Sequence, residues 1–240
     1  MNMKKIVILL AGGSGNRFGS NIPKQFIEVN GLPIIAHTIK RLESYDIDNI
    51  IIVCVSEWIE FTKEIVDKFN FKKVISIIPG GQTGHDSIFN GLKEAKKIAN
   101  NDDIVIIHDS VRPLITELCI SDVVQKAVEH KAACASLKSI EGLVLKDTEE
   151  YGTKIGDRYN IMRVQTPQAY NFGMLYNIYE QAEETNTKYP YADSACILNN
   201  VPIYFSHSFV ANIKITTKSD IAFFKALLNF TDDELNGTEI

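Results

Sequence analysis

Ile6-Val-Ile-Leu-Leu-Ala11-Gly-Gly-Ser-Gly15-Asn-Arg17-Phe-Gly19-Ser-Asn-Ile-Pro23-Lys24-Gln25-Phe26 opens on an unbroken apolar run, Ile6 to Ala11. Such a run, bounded by glycines, reads as a strand buried on both faces, the kind found in parallel sheets. It empties into a loop holding Gly12, Gly13, Gly15 and Gly19, with Arg17 among them and Pro23-Lys24 beyond. Glycines let backbone N–H groups approach phosphate oxygens without a Cβ in the way. Arg17 and Lys24 can bring positive charge to the same oxygens. Gly-rich turns are common after a first strand, but the added cations at this spacing point to phosphate binding. A P-loop is excluded, since no Gly-Lys-Ser/Thr occurs in the stretch. The dinucleotide fingerprint G-x-G-x-x-G is missed by one residue, because Gly13, Gly15 and Gly19 give G-x-G-x-x-x-G.

Outward from this stretch the chain keeps an α/β rhythm. Strands are predicted at 49–55, 73–78, 104–107 and 132–137, with helices at 33–44, 57–69, 87–98 and 116–130 between them. Alternation at this spacing implies a mostly parallel sheet covered on both faces. The rhythm breaks over 139–164, where Leu143-Val-Leu, Tyr151-Gly-Thr and Ile161-Met-Arg-Val are separated by polar residues. An extended two-stranded excursion is expected there. A helix at 172–184, strands at 203–206 and 212–216, and a helix at 219–228 capped by Ser219-Asp220 complete the reading. The acidic tail, 231–240, lacks a core pattern and is expected to be frayed. The whole reads as one domain over 1–230.

Composition limits the function classes. At 240 residues, with 45% apolar and 23% charged residues, the chain can bury one sizeable core. A net charge of −5 argues against a nucleic-acid surface, while leaving room for a local basic cleft. Cys54, Cys119, Cys134 and Cys196 are far apart and without a C-x-x-C, so buried free thiols and a reducing compartment are expected. The N-terminal apolar run is too short to span a membrane and has no signal-type cleavage site, so a cytoplasmic protein without a membrane partner is expected.

In parallel sheets ligands gather beyond the carboxyl ends of the strands, which picks out three segments. The first is Gly12 to Lys24. The second is Pro79-Gly80-Gly81-Gln-Thr-Gly84-His85-Asp86-Ser87, where the glycine pair could admit a planar base but also suits a plain turn into a helix. The third is His108-Asp109-Ser110-Val111-Arg112-Pro113. Asp109 there is placed to hold a divalent cation or a ribose hydroxyl, or else to cap the next helix or pair with Arg112. His108 reads as a structural histidine, since no second ligand stands at metal spacing. G-x-S-x-G is absent, and with it the case for a serine hydrolase.

Taken in order, Ala11-Gly-Gly-x-Gly-x-Arg-x-Gly, Pro23-Lys-Gln, Gly80-Gly…Ser87-Ile-x-x-Gly-Leu92, His108-Asp-x-x-Arg-Pro113, Gln165-Thr-Pro-Gln168 and Asn212-Ile-Lys-Ile-Thr216 resemble one family. It is that of the 2-C-methyl-D-erythritol 4-phosphate cytidylyltransferases and the related ribitol-5-phosphate cytidylyltransferases. The resemblance implies a three-layer, Rossmann-like nucleotidyltransferase fold with a protruding β-arm, and transfer of cytidylyl from CTP to a polyol phosphate with release of pyrophosphate. It implies that the backbone of Ala11, Gly12, Gly13 and Gly15 cradles the CTP phosphates. Arg17, Lys24 and Lys214 would neutralise charge at the α-phosphate, and Gly80, Gly81 and Ser87 would face the cytosine. Asp109 would stand beside the nucleotide and its Mg²⁺, and Arg112, Arg158, Thr166 and Lys214 would hold the second substrate. The excursion 139–164 would be the arm that joins a homodimer and carries Arg158 to the neighbour's site.

Two positions depart from the family pattern. Gly84 stands where the family has arginine, and Ile140-Glu141 where it has Asp-Thr. Glu141 accepts hydrogen bonds and would favour a donor-rich acceptor. That leans the expectation toward a straight-chain polyol phosphate of the ribitol-5-phosphate kind, with methylerythritol phosphate and isoprenoid precursors as the alternative. An NAD-dependent reductase is the competing class, supported by the α/β rhythm but leaving Lys24 and Lys214 unexplained.

Overall fold

The computed structural model describes residues 3–13 and 22–237. The first strand, β1 (Lys5–Ala11), lies at the centre of a seven-stranded sheet. The others in it are β4 (Asn49–Cys54), β5 (Val74–Pro79), β6 (Ile104–Asp109), β7 (Ala132–Lys138), β10 (Met162–Asn171) and β11 (Tyr204–Ser206), in the order β11-β7-β10-β6-β1-β4-β5. Two small pairs stand apart: β2 (Glu28–Val29) with β3 (Leu32–Pro33), and β8 (Leu143–Leu145) with β9 (Lys154–Gly156). Eight α-helices are described: α1 (Ile34–Ser44), α2 (Ile59–Phe69), α3 (Gly84–Ala95), α4 (Glu117–His130), α5 (Phe172–Glu184), α6 (Ala192–Leu198), α7 (Lys218–Leu227) and α8 (Asp232–Asn236).

Strand alternation sends side chains to two cores. Val7, Leu9, Ile50 and Ile52 pack on one face with α1, α4, α7 and α8, whereas Ile6, Ile8, Ile51 and Val53 pack on the other with α3, α5 and α6. This is the three-layer α/β arrangement expected. Each fully buried Ile or Leu contributes on the order of 1.5–3 kcal/mol, so the apolar runs of β1, β4 and β6 decide the sheet before any loop does.

The sheet is parallel except for β10, which runs antiparallel to both its neighbours, β6 and β7. That strand was not anticipated. Its sequence, Met162-Arg-Val-Gln-Thr-Pro-Gln-Ala-Tyr-Asn171, is mostly polar and contains a proline, so it carries no run of the strand type. A register shift between Val164 and Gln168 accommodates the cis Thr166–Pro167 peptide.

Three further expectations are corrected. Residues 212–216 do not form a strand. They run as an irregular segment with one backbone-to-backbone bond to a neighbouring element, Ile215 N–H to the Val111 carbonyl (2.9 Å), because the Asn212 side chain is turned inward to polar partners. The last long helix begins at Lys218, and its cap is Thr217, with Asp220 as the reciprocal capping-box partner. Over 231–237 the acidic tail is not frayed. A Thr231–Glu234 capping box starts α8, Leu235 is fully buried, and Asp232 pairs with Arg41 at 2.6 Å. One buried leucine and a paired acid suffice to hold so short a helix, and neither makes a periodic pattern. Residues 238–240 lie outside the described residues. No helix among the described residues is long and apolar enough to cross a membrane.

Candidate active site

Register brings the strand ends level: Ala11 pairs with Cys54, Cys54 with Pro79, and Leu10 with Asp109. Because β10 is antiparallel, its start arrives at the same end, with Gln168 opposite Ile107. The loops beyond these ends enclose a cleft of about 890 Å³. Gly12, Gly13, Lys24, Gly80, Gly81, Ser87, Asp109, Arg112, Thr166 and Lys214 all line it. Ala11 does not; it is fully buried, and its carbonyl accepts a bond from the Gln25 amide (2.8 Å). That bond ties the returning loop to the end of β1 and so places Lys24, the next residue back, at the cleft. Gly13 has φ +100°, a left-handed conformation that a side chain would strain. Gly15 and Arg17 lie outside the described residues.

The second loop is built rigidly. Thr83 caps α3, its hydroxyl accepting from Asp86 N–H (3.2 Å), while the Asp86 carboxylate accepts from Thr83 N–H (3.0 Å). The helix thus begins three residues before the sequence reading placed it, and Ser87 falls in its first turn. The Ser87 hydroxyl donates to the Thr83 carbonyl (3.0 Å) and accepts from Gly81 N–H (3.1 Å). Ser87 therefore shapes the loop, with its proton already committed. Lys188 holds Asp86 from outside at 2.8 Å.

Asp109 is the electrostatic centre. Its Oδ1 accepts from Lys214 Nζ (2.9 Å) and its Oδ2 from Arg112 Nε (3.1 Å). Thr166 joins them, its hydroxyl accepting from Asp109 N–H at 3.1 Å. Arg112 is held further by the Asn212 carbonyl (2.7 Å), and the Asn212 amide in turn donates to the Thr166 carbonyl (3.0 Å). Burial alone would raise the Asp109 carboxyl, but Lys214 and then Arg112 outweigh it and hold the group down at about 2. It is ionised throughout the working range. Two cations around one carboxylate leave a net positive centre, with Lys24 also at the cleft, which suits polyanionic ligands.

His108 is the structural histidine expected. It is fully buried with Nε2 3.3 Å from the Arg112 carbonyl, and burial pushes its pKa down to about 4. Folded neutral and unfolded charged, it withdraws stability as pH falls from about 6.5 toward 4, a loss on the order of 3 kcal/mol. We expect urea unfolding midpoints to fall across that interval, and His108→Gln to flatten part of the slope. His37 and His85, also shifted down mainly by burial, supply the remainder.

Glu141 and Arg158 do not reach this cleft. Both belong to the arm, where Arg158 donates to the Ile140 carbonyl (3.0 Å) and stacks on Tyr159. A shallow hollow on the arm is lined by Leu143, Val144, Ile155, Arg158 and Tyr159. Conversely, Glu57, Gln165, Gln168, Tyr191 and Asp193 line the main cleft without having been singled out from sequence as ligand-facing. Gln165 and Gln168 lay within a recognised motif; Tyr191 and Asp193 lay in none.

The profile of the family described as IspD, 2-C-methyl-D-erythritol 4-phosphate cytidylyltransferase, matches residues 5–229. A ribitol-5-phosphate cytidylyltransferase of Lacticaseibacillus paracasei is 39% identical over 228 residues, covering 92% of this chain and 96% of that protein. A 2-C-methyl-D-erythritol 4-phosphate cytidylyltransferase of Clostridium botulinum is 33% identical over 221 residues, covering 91% and 94% respectively. Among solved structures, the 4-diphosphocytidyl-2C-methyl-D-erythritol synthase of Anaerococcus prevotii superposes with a TM-score of 0.78 at 26% identity, covering 94% of this chain and 98% of that one.

Proposed function

Starting from the fact that this chain belongs to the 2-C-methyl-D-erythritol 4-phosphate cytidylyltransferase family of CTP-dependent nucleotidyltransferases, we propose that it joins CTP to a straight-chain polyol phosphate, ribitol 5-phosphate or a close analogue, giving a CDP-polyol and pyrophosphate. The observation that carries the reading is the Asp109–Arg112–Lys214 cluster facing the glycine loop of β1 across one cleft. Family membership leaves the reductase alternative without support. Methylerythritol 4-phosphate is the second reading, supported by the Clostridium botulinum relative.

An acceptor phosphate oxygen attacks the α-phosphorus of CTP and pyrophosphate departs. A phosphate monoester is largely ionised at neutral pH, so no general base is needed. The barrier lies in bringing two polyanions together and in the charge that gathers on the equatorial oxygens. Lys24, Lys214 and Arg17 are assigned to that charge, Arg112 and Thr166 to the acceptor phosphate. Gly80 and Gly81 form the wall against the base. Mg²⁺, when bound, supplies further charge neutralisation on the triphosphate. Asp109, ionised and facing the cleft, is the residue that would hold it. Buried thiols at all four cysteines fit the reducing cytoplasm.

The arm, 139–164, is assigned to dimerisation. Val144 (65% exposed), Ile155 (89%) and Tyr159 (85%) present apolar surface that a second copy would cover. The same contact would bring Arg158 and Glu141 to the neighbouring cleft, with Glu141 favouring a hydroxyl-rich acceptor. Light scattering at micromolar concentration is expected to give a dimer, and Val144→Asp with Ile155→Asp a monomer of low activity. A monomeric wild type with full turnover would remove the assignment.

Pyrophosphate release measured with CTP against ribitol 5-phosphate and methylerythritol 4-phosphate tests the acceptor. A kcat/KM at least tenfold higher for ribitol 5-phosphate is expected; the reverse order would move the enzyme to the second reading.

A further inference from the structure

We propose that Asp193, at the start of α6, reads the uncharged hydroxyl chain of the acceptor and so contributes to acceptor specificity. The inference rests on the polyol-phosphate reading above and names a residue for it. Among the described residues six charged side chains line the cleft: Lys24, Glu57, Asp109, Arg112, Asp193 and Lys214. Asp109 is matched by two cations, whereas Asp193, half-buried, forms no ion pair among the described residues. A carboxylate kept without a cation in a phosphate-binding cleft repels phosphate. It is suited instead to a neutral part of the ligands that is rich in hydrogen-bond donors.

Its partners leave capacity for that. Oδ1 accepts from Ser194 N–H (2.6 Å) and the Ser194 hydroxyl (3.2 Å), while Oδ2 receives a single long bond, from Gln168 Nε2 at 3.4 Å. A carboxylate offers about four acceptor sites, so Oδ2 can still take a hydroxyl. The group is also aimed. Gln168 Oε1 accepts from the Tyr170 hydroxyl (2.8 Å), which is itself fully buried beside Cys134 Sγ (3.6 Å). That fixes which end of the Gln168 amide faces Asp193, and holds the side chain by a buried polar chain.

The residues just before Asp193 pack on the second glycine loop, Tyr189 N–H donating to His85 Nδ1 (3.2 Å) and Lys188 to Asp86 (2.8 Å). Asp193 itself, on α6, is bonded to Gln168 of β10, the strand on the other side of β6 from β1. Thr166, which joins the Asp109 cluster and is assigned to the acceptor phosphate, sits on that strand two residues earlier. This tie to the Thr166 strand is what assigns Asp193 to the hydroxyls beyond the acceptor phosphate, and the CTP measurement below separates that from the ribose.

The test compares wild type, Asp193→Ala and Asp193→Asn with ribitol 5-phosphate and with glycerol 3-phosphate, whose short chain lacks the distal hydroxyls. CTP affinity is measured in parallel by calorimetry. Asp193→Ala is expected to raise KM for ribitol 5-phosphate at least tenfold, to change KM for glycerol 3-phosphate by less than threefold, and to leave the CTP dissociation constant within twofold. Asp193→Asn, which keeps the volume, is expected to fall between the two and guards against misfolding of the alanine variant. A tenfold loss of CTP affinity would place Asp193 at the ribose and overturn the assignment. Equal losses on both acceptors would make it structural, and also overturn it. If wild type turns over neither polyol phosphate, the proposed function fails and takes this assignment with it. If wild type is active and the variants match it, only the assignment falls.

Discussion

Lys214→Ala is expected to lower kcat by about 10²–10³ while changing KM for either substrate less than tenfold. Losing one charge-assisted donor aimed at transition-state charge costs about 3–4 kcal/mol, and such a loss appears in kcat when the contact forms mainly in the transition state. The geometry favours that split. Lys214 reaches the cleft from an irregular segment and is held in place by Asp109 at 2.9 Å, so its ammonium is oriented before substrate arrives. Its side chain is 42% exposed but that of its partner Asp109 only 14%, so removing the ammonium leaves a buried carboxylate with one cation fewer and a modest fall in melting temperature is expected beside the loss of rate. Arg112 remains on Asp109 in the variant, but the larger of the two influences opposing burial is gone, so the Asp109 carboxyl is expected to rise from about 2. Lys24→Ala is expected to show a similar fall in rate with an unchanged melting temperature. Steady-state pyrophosphate release over both substrates checks each; near-normal kcat in Lys214→Ala would remove it from the chemistry.

Why the segment carrying Lys214 was misread as a strand is instructive. Asn212-Ile-Lys-Ile-Thr216 alternates polar and apolar residues, as a half-buried strand does. Ile215 is fully buried, as alternation predicts. What the pattern could not reveal is that the Asn212 amide finds partners in Gln165, Thr166 and Ser208 and so draws the backbone away from a ladder. The central strands were legible for the opposite reason. Ile6 to Leu9 and Ile50 to Val53 are buried on both faces, and nothing polar competes for their backbone.

Gly81→Ala is expected to weaken CTP binding at least tenfold, about 1.4 kcal/mol, and to lower the melting temperature by several degrees. A Cβ at Gly81 would lie 2.1 Å from the Asp86 Cβ and 3.0 Å from its backbone carbon. Asp86 cannot yield, since it is fixed by the Thr83 capping box and by Lys188. The loop itself must shift, which breaks the Gly81 N–H bond to Ser87 and moves the wall assigned to the base. Overpacking of this kind costs roughly 1–3 kcal/mol, or about 2–4 °C per kcal/mol in a protein of this size. Titration calorimetry with CTP is the direct measurement. Unchanged affinity in a folded variant would show that the loop does not contact the nucleotide.

The lining of the cleft was unevenly legible in the sequence. Asp109 ends β6 and Arg112 follows it, Lys24 stands beyond the glycine loop and Lys214 between Ile213 and Ile215, so each is a charge that interrupts or closes an apolar or glycine-rich stretch and stands out. Asp193 follows Tyr191-Ala192 in an unremarkable polar stretch, and only the packing of α6 over β10 brings it to the cleft. No spacing rule links it to Gln168, 25 residues away. Glu141 and Arg158 were legible as charges on an excursion, but a single chain keeps both away from its own cleft.

The reversed direction of β10 has a consequence for how this architecture can change over time. β7 and β10 are adjacent and antiparallel, with Lys138 opposite Met162, so everything between those two residues is the closing loop of a greatly extended β-hairpin. The stem fixes both ends of that loop about one strand spacing apart, whatever its length. Closing a longer loop costs only about 0.6 kcal/mol per doubling. The arm is therefore a cassette: it can be lengthened, shortened or exchanged at the Lys138–Met162 stem without disturbing the seven strands or the Asp109 cluster. The sequence of the arm can diverge there while the residues of the main cleft stay as they are.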